Sequence, residues 1–421
     1  MIKQSSDQKH IPAIKTPIER YGMGRSLIGD EEIEAVNRLL RNPQKLFRYR
    51  GAEKTECFLF EDEVTTKTGA NHALFVNSGT SALACCLAAW DVGPGDEVIV
   101  PAYTYIATAS AVISVGAVPV IAEIDDSLGM DPVDVLKKIT PYTKAVILVH
   151  MQGVPAKLDA LRKIAHEKNL VLIEDCCQAI GAKYKGEYAG VRSNAFAWSL
   201  NFYKIITCGE AGVFFTNDDT AYTKGVNYSD PAMPMWGTSL STGKIPPFTG
   251  GGFRGNEICA AIARVQLKRL DTMLACTRKL KKLLIENLNK PIHYQLQHVD
   301  DPEGDCGISF AMIAESSKVT EKFTKELLVE GLRIGSAYNE GFPDRHIYKY
   351  WDSILYKRGA TKLNYPWGDP SYKGNVEYSV DMCPQTLDLL ARCLRLDINL
   401  NMSEQNMLEI AEAINLVDKR I

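Results

Sequence analysis

The chain has 421 residues, of which 46% are hydrophobic and 24% are charged, and its formal net charge is −3. This length allows a large core and more than one domain. Because no excess of Lys and Arg is available to neutralise phosphates, the composition argues against nucleic acid as a partner. The polar residues 1–12 lack the apolar core of a signal peptide, and the longest apolar runs are too short to cross a membrane. We therefore expect a cytoplasmic protein that binds neither nucleic acid nor membrane.

Eleven cysteines are scattered along the chain without the spacing of a disulfide framework. In the absence of a secretion signal, we expect them to be reduced thiols. No Cys-x-x-Cys is present, and the seven histidines never occur at the spacing of metal ligands. The sequence therefore predicts no zinc site and no other metal site.

Between residues 72 and 216, short apolar runs alternate with amphipathic stretches. The apolar runs predict strands at His72–Val76, Glu97–Val100, Val118–Ala122, Ala145–His150 and Leu170–Ile173. The amphipathic stretches predict helices at Ser81–Trp90, Ala107–Val115, Pro132–Ile139 and Leu158–Lys168. Strands that are apolar throughout and alternate with helices are typical of an α/β fold with a mostly parallel sheet covered on both faces. In such sheets functional residues gather at the carboxyl ends of the strands, where Ser78, Tyr105, His150 and Asp175 are predicted to lie.

The sequence pattern changes at about residue 225 and again at about residue 257. Residues 225–256 are rich in Gly, Pro, Ser and Thr without a sustained period, which predicts a long loop, placed as a flap over the site. Apolar spacing then predicts a long helix at Glu257–Leu288, and residues 290–421 mix short strands and helices, ending in a helix near Glu404–Leu416. We expect a large domain at 1–289, with an amino-terminal arm at about 1–30, and a smaller α+β domain at 290–421.

A small-residue turn at Asn77–Leu83 leads from a predicted strand into a predicted helix. Gly79 allows close approach of the backbone, and Thr80 or Ser81 is expected to cap a helix whose free N–H groups favour an anion. The pattern also fits an ordinary strand-to-helix turn. Tyr105 follows the next strand, where an aromatic ring either stacks on a flat heteroaromatic ring or packs in the core.

Two charged residues follow later strands. Asp175 ends an apolar strand, where burial of a carboxylate costs free energy unless the carboxylate is paired. A pyridinium N–H would pair it, and Gln178 could then donate to the ring oxygen. The alternative is that Asp175 is a helix N-cap. Lys204 follows the strand-like Ala195–Leu200 in an apolar setting that favours a nucleophilic amine, although a solvated lysine is the commoner fate. Ser199 could reach the same phosphate as Thr80. An amine, a carboxylate and an anion-binding turn are together the parts that hold pyridoxal phosphate.

The order and spacing of these segments resemble the DegT/StrS family of pyridoxal-phosphate-dependent sugar aminotransferases, which have the aspartate-aminotransferase type of fold. The resemblance runs from about residue 25 to the carboxyl terminus and is carried by Gly95–Pro101, Glu174–Ala179, Ser199–Lys204 and Gly252–Glu257. Within the family, the nearest likeness is to the 8-amino-3,8-dideoxy-manno-octulosonate aminotransferase branch. That likeness lies in Phe47–Tyr49, Val149–Met151, Lys204–Gly209 and Asp301–Asp305.

The resemblance implies roles for single residues. Lys204 would carry the cofactor, Asp175 would pair with the ring nitrogen, Gln178 would contact the ring face or oxygen, and Tyr105 would stack on the ring. Phosphate would be bound by Gly79, Thr80 and Ser199. Candidate substrate contacts are Arg48, Tyr49, Arg254 and His346.

The resemblance also implies the substrates and the assembly. The amino donor would be glutamate or glutamine, and the acceptor a keto or aldehyde sugar or a cyclitol-like compound. The sugar 3-dehydratases of the family have histidine in place of the lysine, so Lys204 favours a transaminase. We expect a homodimer with shared active sites, in which the loop at 225–256 reaches the neighbouring subunit.

The chain departs from the family pattern at three places. Gly252 stands where asparagine is usual, Ser193-Asn194 stands for Gly-Asp, and Ala211 stands for a glycine. The asparagine would contact the phosphate of the neighbouring subunit, so that contact is missing here. These departures leave open other pyridoxal-phosphate chemistry, such as elimination, cyclisation or decarboxylation. A second alternative is a non-catalytic regulatory or binding protein on the same fold.

Overall fold

The computed structural model describes residues 10–19, 22–49, 54–230, 245–338 and 343–421. In the first half of the chain, strands and helices alternate as the apolar periodicity predicts. The strands are β1 (His72–Val76), β2 (Glu97–Pro101), β3 (Val118–Ala122), β4 (Thr143–Val149), β5 (Val171–Asp175), β6 (Lys183–Tyr184), β7 (Glu187–Tyr188), β8 (Ala195–Ser199) and β9 (Gly212–Thr216). The helices are α1 (Asp30–Leu40), α2 (Glu56–Thr68), α3 (Gly79–Ala89), α4 (Ala107–Ser114), α5 (Pro132–Lys138), α6 (Leu158–Glu167), α7 (Asp219–Ser229) and α8 (Glu257–Glu286).

Seven of the strands form one large sheet in the order β1-β9-β8-β5-β4-β2-β3. Only β9 runs antiparallel to its neighbours β1 and β8, and the pairs β8-β5, β5-β4, β4-β2 and β2-β3 are parallel. Strands β2, β3, β8 and β9 are buried along their whole length, which is why they are apolar without alternation. The predicted α/β fold with a mostly parallel sheet is confirmed, and the sheet has seven strands.

A second, antiparallel sheet follows in the order β10-β11-β12. Its strands are β10 (Tyr294–Leu296), β11 (Ser309–Ala314) and β12 (Cys393–Asp397), and its region contains α9 (Ser317–Val329), α10 (Asp352–Leu355), α11 (Pro384–Arg392) and α12 (Glu404–Arg420). One face of this sheet packs against α9 and α12 in a separate core that includes Leu394, Leu396 and Ile410. The smaller carboxyl-terminal α+β region expected from the sequence is therefore present.

The two cores are not formed by two consecutive segments of the chain. Ile347, Trp351 and Leu390 pack into the core on one face of the large sheet, although they lie far beyond residue 289. Conversely, Ala13 of the amino-terminal arm packs in the smaller core. The domain boundary at 289 stays a prediction, and it falls in the segment between α8 and β10.

The predicted loop at 225–256 is corrected where the structure describes it. Its first residues belong to α7, and residues 231–244 lie outside the described parts of the chain. Residues 250–255 bond to their own subunit: Gly251 N donates to Tyr228 O at 2.8 Å, and Phe253 N donates to Ser229 O at 2.8 Å. The glycines serve close approach, because a Cβ at Gly250 would lie 2.2 Å from Tyr228 O. These bonds hold the backbone of 250–255 on its own subunit, and the expectation that the loop reaches a neighbouring subunit stays a prediction.

Two further expectations concern the state of the cysteines and the presence of a membrane-spanning helix. All eleven cysteines lie in the described part of the chain as free thiols. Among the described helices, none is both long enough and apolar enough to cross a membrane.

Candidate active site

A cavity of about 590 Å³ opens at the carboxyl edge of the large sheet, and we refer to it as the first cavity. Its volume lies within the range of small-molecule and cofactor sites. The lining comes from the ends of strands and the starts of helices, as the parallel sheet predicts. The residues are Ser78, Gly79, Thr80, Leu83, Tyr105, Ala107, Thr108, Asp175, Cys177, Ser199, Asn201, Tyr203, Lys204, Glu210 and His346.

Lys204 lies in the turn that follows β8, with its backbone N bonded to Asn201 O at 2.9 Å. Ile205 and Ile206 directly after it are buried, so the turn is fixed in the apolar core below the cavity. No hydrogen bond or ion pair joins the Lys204 amine to any residue that the structure describes. Asn201 shapes the turn further, because its side-chain amide donates to Glu210 at 2.7 Å. The cavity therefore presents an amine that is available to a bound molecule.

Asp175 ends β5 beside this amine and is only 4% exposed. Thr108 Oγ1 donates to one carboxylate oxygen at 2.8 Å, and the backbone N of Cys177 donates to the other at 3.0 Å. Thr108 is in turn bonded to Thr104 at 2.8 Å. A turn follows Asp175 rather than a helix, so the alternative of a helix N-cap does not apply. A buried carboxylate held in this way can accept a further N–H from a bound ring.

The amino terminus of α3 forms the opposite wall. The expected cap at Thr80 or Ser81 is wrong, because the helix begins at Gly79 and Ser78 is the N-cap, with its hydroxyl accepting from Ser81 N at 3.1 Å. Gly79 and Thr80 are thus in the first turn, where backbone N–H groups have no acceptor within the helix. A Cβ on Gly79 would lie 2.6 Å from the Cβ of Ser199, so glycine is required where the helix meets β8. Three predicted phosphate contacts therefore lie together.

Tyr105 and His346 lie at the mouth of the first cavity. Tyr105 is 45% exposed, and its ring centroid is 5.3 Å from that of His346 at a tilt of 52°. His346 is positioned by Asp344, which contacts its Nδ1 at 2.7 Å. Burial alone would raise the pKa of Asp344, but the hydrogen bonds from His346 lower it below its ordinary value. Two residues that are 241 positions apart in the sequence thus border one opening.

A second cavity of about 260 Å³ lies on the other side of Lys204 and shares Tyr203, Lys204 and His346 with the first. Gln178 lines this second cavity rather than the first. Its side-chain oxygen accepts from the backbone N of Gln152 at 3.2 Å. Further lining comes from distant segments of the chain: Gly22, Met23, Arg25, Gln152, Ile205, Ile308, Arg395, Asp397, Ile398 and Asn399.

Arg48, Tyr49 and Arg254 line neither cavity. Arg48 is buried and its Nη2 donates to both carboxylate oxygens of Glu61, at 2.8 and 2.7 Å. Arg254 contacts Asp230 at 3.4 Å. The substrate roles expected for these residues stay predictions, and within one subunit the structure does not bring them to Lys204.

Three potential metal ligands, His150, Glu174 and Cys176, lie within 4.8 Å of one another in the core. The His150 ring is used internally, because its Nδ1 accepts from Ala156 N at 3.0 Å and its Nε2 donates to Glu174 at 2.8 Å. Burial would raise the pKa of Glu174, but the bonds from His150 and the charge of Arg162 lower it. We interpret this group as a hydrogen-bond cluster that ties β4 to β5.

Sequence reasoning missed several residues of the two cavities. Thr108 carried a weak signal, because it follows Thr104 by one helical turn next to a strand end. Gln152 and Arg395 carried none, since nothing in the sequence shows that a loop after β4 and the last strand approach Lys204. Asn201 and Glu210 were passed over because they are common loop residues.

Comparison with known proteins agrees with this geometry. The model of the DegT/DnrJ/EryC1/StrS aminotransferase family matches residues 26–363. L-glutamine:2-deoxy-scyllo-inosose aminotransferase of Streptomyces kanamyceticus is 34% identical over 331 residues, which cover 74% of this chain and 75% of the relative. GDP-perosamine synthase of Escherichia coli O157:H7 is 33% identical over 246 residues, or 57% of this chain. The match spans 65% of that synthase, which is less than two thirds of its length.

Solved structures share the whole fold. The crystal structure of 3-amino-5-hydroxybenzoic acid synthase superimposes with a TM-score of 0.73 at 27% identity, covering 94% of this chain and 97% of the other. S. venezuelae DesV, solved in complex with a ketimine intermediate, gives a TM-score of 0.71 at 27% identity, covering 93% and 95%. Because the family model covers most of the sequence and the fold matches along nearly all of it, this chain belongs to the DegT/DnrJ/EryC1/StrS aminotransferase family.

Proposed function

We propose that this protein is a pyridoxal-phosphate-dependent aminotransferase. It moves an amino group from glutamate or glutamine to a keto or aldehyde sugar or to a cyclitol-like acceptor. The observation that carries the proposal is one cavity lined by Lys204, whose amine no described residue bonds, by the buried Asp175 carboxylate and by the open amino terminus of α3. Each of these groups matches one part of the cofactor: its aldehyde, its ring nitrogen and its phosphate.

The residues present fit this cofactor. A phosphate suits the first turn of α3, where N–H groups lack acceptors and Gly79 leaves room for close approach. Ser199 and Thr80 add hydroxyl groups at the same wall. A flat ring suits the space between Tyr105 and the strand ends, with its nitrogen toward Asp175. Gln178 lies across Lys204 in the second cavity, so its predicted contact with the ring stays part of this proposal.

When bound, pyridoxal phosphate supplies an electron sink for the substrate carbon. The chain supplies the rest. Asp175, fixed by Thr108 and Cys177 N, holds the proton on the ring nitrogen. Lys204 would hold the cofactor through its amine and, as the amine in this cavity, would also move the proton at the donor's α-carbon.

The names of the relatives support the substrate class. An aminotransferase of 2-deoxy-scyllo-inosose takes its nitrogen from glutamine, and a GDP-perosamine synthase makes an amino sugar, as their names state. For this chain we propose the same class and no single compound.

Two measurements test the function. Borohydride reduction of the coloured protein followed by peptide mapping should place the cofactor on Lys204, because its amine alone among the described lysines faces Asp175 in the first cavity. Nitrogen from labelled glutamate or glutamine should then appear in the amino product. A label on another lysine contradicts the site. Loss of the acceptor's hydroxyl or carboxyl group without nitrogen transfer would instead support elimination or decarboxylation.

We further propose a cytoplasmic homodimer with shared active sites. Apolar side chains that one subunit leaves exposed support an interface beside the cavities: Phe202 is 45% and Tyr203 is 71% exposed, next to Lys204. Ile33 and Leu40 of α1 are also at least half exposed. Exposed apolar groups that cluster near a site are typical of a subunit contact. In such a dimer Arg48, Tyr49 or Arg254 would serve the partner's cavity rather than their own.

Mixed dimers test this arrangement. A Lys204→Ala chain and an Arg254→Ala chain should each be inactive alone if Arg254 serves the neighbour's site. Mixed dimers would then contain one intact site and recover about a quarter to half of the wild-type rate, measured as nitrogen transfer after subunit exchange. An Arg333→Ala chain, altered at an exposed arginine outside both cavities, is the control. A fully active monomer by light scattering would contradict the proposal.

A further inference from the structure

A pair of cysteine thiols lies beside the segment that carries Lys204. Cys208 follows Lys204 by four positions, and its backbone N donates to Leu200 O at 3.1 Å. Cys259 is in the first turn of α8, where its backbone N donates to the side chain of the N-cap Asn256 at 2.9 Å. Both cysteine side chains pack in the core between α8 and the large sheet. Two elements that are distant in the sequence thus bring two thiols together.

The two thiols share one hydrogen bond. Cys208 is buried, and its hydrogen bond to Cys259 raises the pKa of the Cys208 thiol well above its ordinary value. The same bond, with further hydrogen bonds from Asn256 and from the backbone N of Glu210, lowers the pKa of Cys259 to about 6, although burial opposes the shift. The first turn of a helix also favours a negative charge. At neutral pH, Cys259 is therefore a thiolate that accepts from the protonated Cys208.

Other cysteines of the core lack this arrangement. Burial raises the pKa of Cys85, Cys86 and Cys176, so these thiols stay protonated and unreactive. Cys259 differs from them because it is only half-buried and directly follows the exposed Ile258. An ionised thiol that a small solute can reach, next to a second thiol, is the arrangement that disulfide chemistry requires.

Contacts lead from this pair of thiols to the first cavity. Glu210, whose backbone N donates to Cys259, lines that cavity, and its carboxylate accepts from the side chain of Asn201 at 2.7 Å. Asn201 O in turn accepts from Lys204 N at 2.9 Å. Oxidation of Cys259 removes the negative charge that Glu210 N bonds, so it acts on the first of these contacts.

We propose that Cys259 and Cys208 form a peroxide-sensitive site, at which oxidation produces a reversible disulfide between α8 and the segment that follows Lys204. The Cys259 thiolate attacks one oxygen of hydrogen peroxide, the O–O bond breaks, and a sulfenic acid and a hydroxide form. The hydroxide takes the proton of Cys208 and leaves as water. The Cys208 thiolate then attacks the sulfenic sulfur, and the second oxygen leaves as water after taking up a proton from solvent. The two thiols lose two electrons, which reduce the peroxide to water.

Peptide mapping of the oxidised protein tests the site. After treatment with about one equivalent of hydrogen peroxide, blocking of the remaining thiols and tryptic digestion, mass spectrometry should find residues 205–224 joined to residues 255–264 with the loss of two hydrogens. Each of these peptides contains a single cysteine, so the joined mass identifies the pair. Dithiothreitol should restore both free thiols. Cys276→Ser, at a half-buried cysteine farther along α8, should form the same link as the wild type.

Single substitutions separate the roles of the two thiols. Cys259→Ser should lose the link and leave Cys208 unoxidised, because the attacking thiolate is gone. Cys208→Ser should stop at the sulfenic acid of Cys259, which the trapping reagent dimedone marks. Equal melting temperatures show that each variant has folded.

Three results would overturn the inference. Peroxide may leave both wild-type thiols free, or it may join a different pair of cysteines, and in either case the site is not the one proposed. If dimedone marks Cys208 in Cys259→Ser while Cys259 stays free in Cys208→Ser, the assignment of the attacking thiol is wrong. All three readouts are independent of bound cofactor and of substrate, so the inference does not depend on the proposed function.

Discussion

The two cavities on either side of Lys204 are built in different ways. The first is formed by strand ends and helix starts between residues 78 and 210, with His346 as the one late addition, and its buried carboxylate Asp175 is bonded to Thr108 and to Cys177 N. The second draws on the amino-terminal arm, the turn after β4 and the last strand of the small sheet. Cofactor chemistry that many relatives share is thus supported by one rigid element. The second cavity is assembled from separate segments, each of which can change without disturbing the sheet.

Replacement of Asp175 tests the rigid side and should have the largest effect. Asp175→Asn keeps the size of the side chain and its contact with Thr108, but a neutral amide cannot hold the proton on the ring nitrogen. The lost charge-assisted bond corresponds to about 1.5–3 kcal/mol, so turnover should fall by about 10- to 150-fold or more. The turnover is measured as the steady-state rate of nitrogen transfer. Asp131→Asn, at the N-cap of α5, is the control, and near-normal turnover of Asp175→Asn would contradict the assigned role.

Replacement of Gly79 tests the same side through packing alone. In Gly79→Ala the new Cβ would lie 2.6 Å from Ser199 Cβ and 3.1 Å from Cys177 Sγ, so the start of α3 must move away from β8. Forced shifts of this kind cost about 1–3 kcal/mol, and cofactor affinity should fall by about 5- to 150-fold.

Cofactor affinity is measured by titrating the apoprotein and following the visible band. Gly29→Ala provides the matched control, because nothing lies within 4 Å of a Cβ at that helix start. If both variants bind the cofactor equally well, the close contact between α3 and β8 does not shape the phosphate site.

The arm that carries Arg25 to the second cavity should respond to Glu409, with a smaller effect. Glu409 accepts from Lys15 N at 2.9 Å and from Thr16 N at 2.8 Å. Burial alone would raise its pKa, but these bonds lower it from 4.5 to about 2. Because the folded-state pKa is lowered, this stabilisation is complete above about pH 4.5 and is lost as the pH falls toward 2.

At neutral pH, Glu409→Gln should weaken the anchor by about 1 kcal/mol and speed tryptic cleavage after Lys15 about fivefold. Mass spectrometry of the released amino-terminal peptide measures the rate. Glu412→Gln, on the exposed side of α12, should leave the rate unchanged. Equal cleavage in both variants would show that the arm is held elsewhere.

The sequence predicts the first cavity better than the second for a physical reason. Buried parallel strands are apolar throughout, so β1 and β3 could be bounded to the residue, and their carboxyl ends must meet at one edge. That rule alone brings Ser78, Asp175 and Lys204 together. The helix cap was misplaced by two or three residues, because Ser78, Thr80 and Ser81 have equivalent side chains and only the backbone decides between them.

The second cavity could not be predicted, because its residues meet through tertiary packing. In the sequence, Arg395 is one charged residue in an alternating strand, and Gln152 is part of a loop. The glycines of this segment were interpreted as a sign of a free loop, whereas Gly250 and Gly255 allow the backbone to pack closely on α7 and β1. Composition alone does not distinguish these two uses of glycine.

The late segment that packs into the early core has a consequence for how the chain folds. Trp351, Ile354 and Leu390 are fully buried against the large sheet. Cys393 packs in the same core and is also the first residue of β12 in the small sheet. A fragment that ends at residue 289 would expose the apolar surface that these side chains cover. The amino-terminal part is therefore expected to aggregate when it leaves the ribosome, until more than 100 further residues have been synthesised.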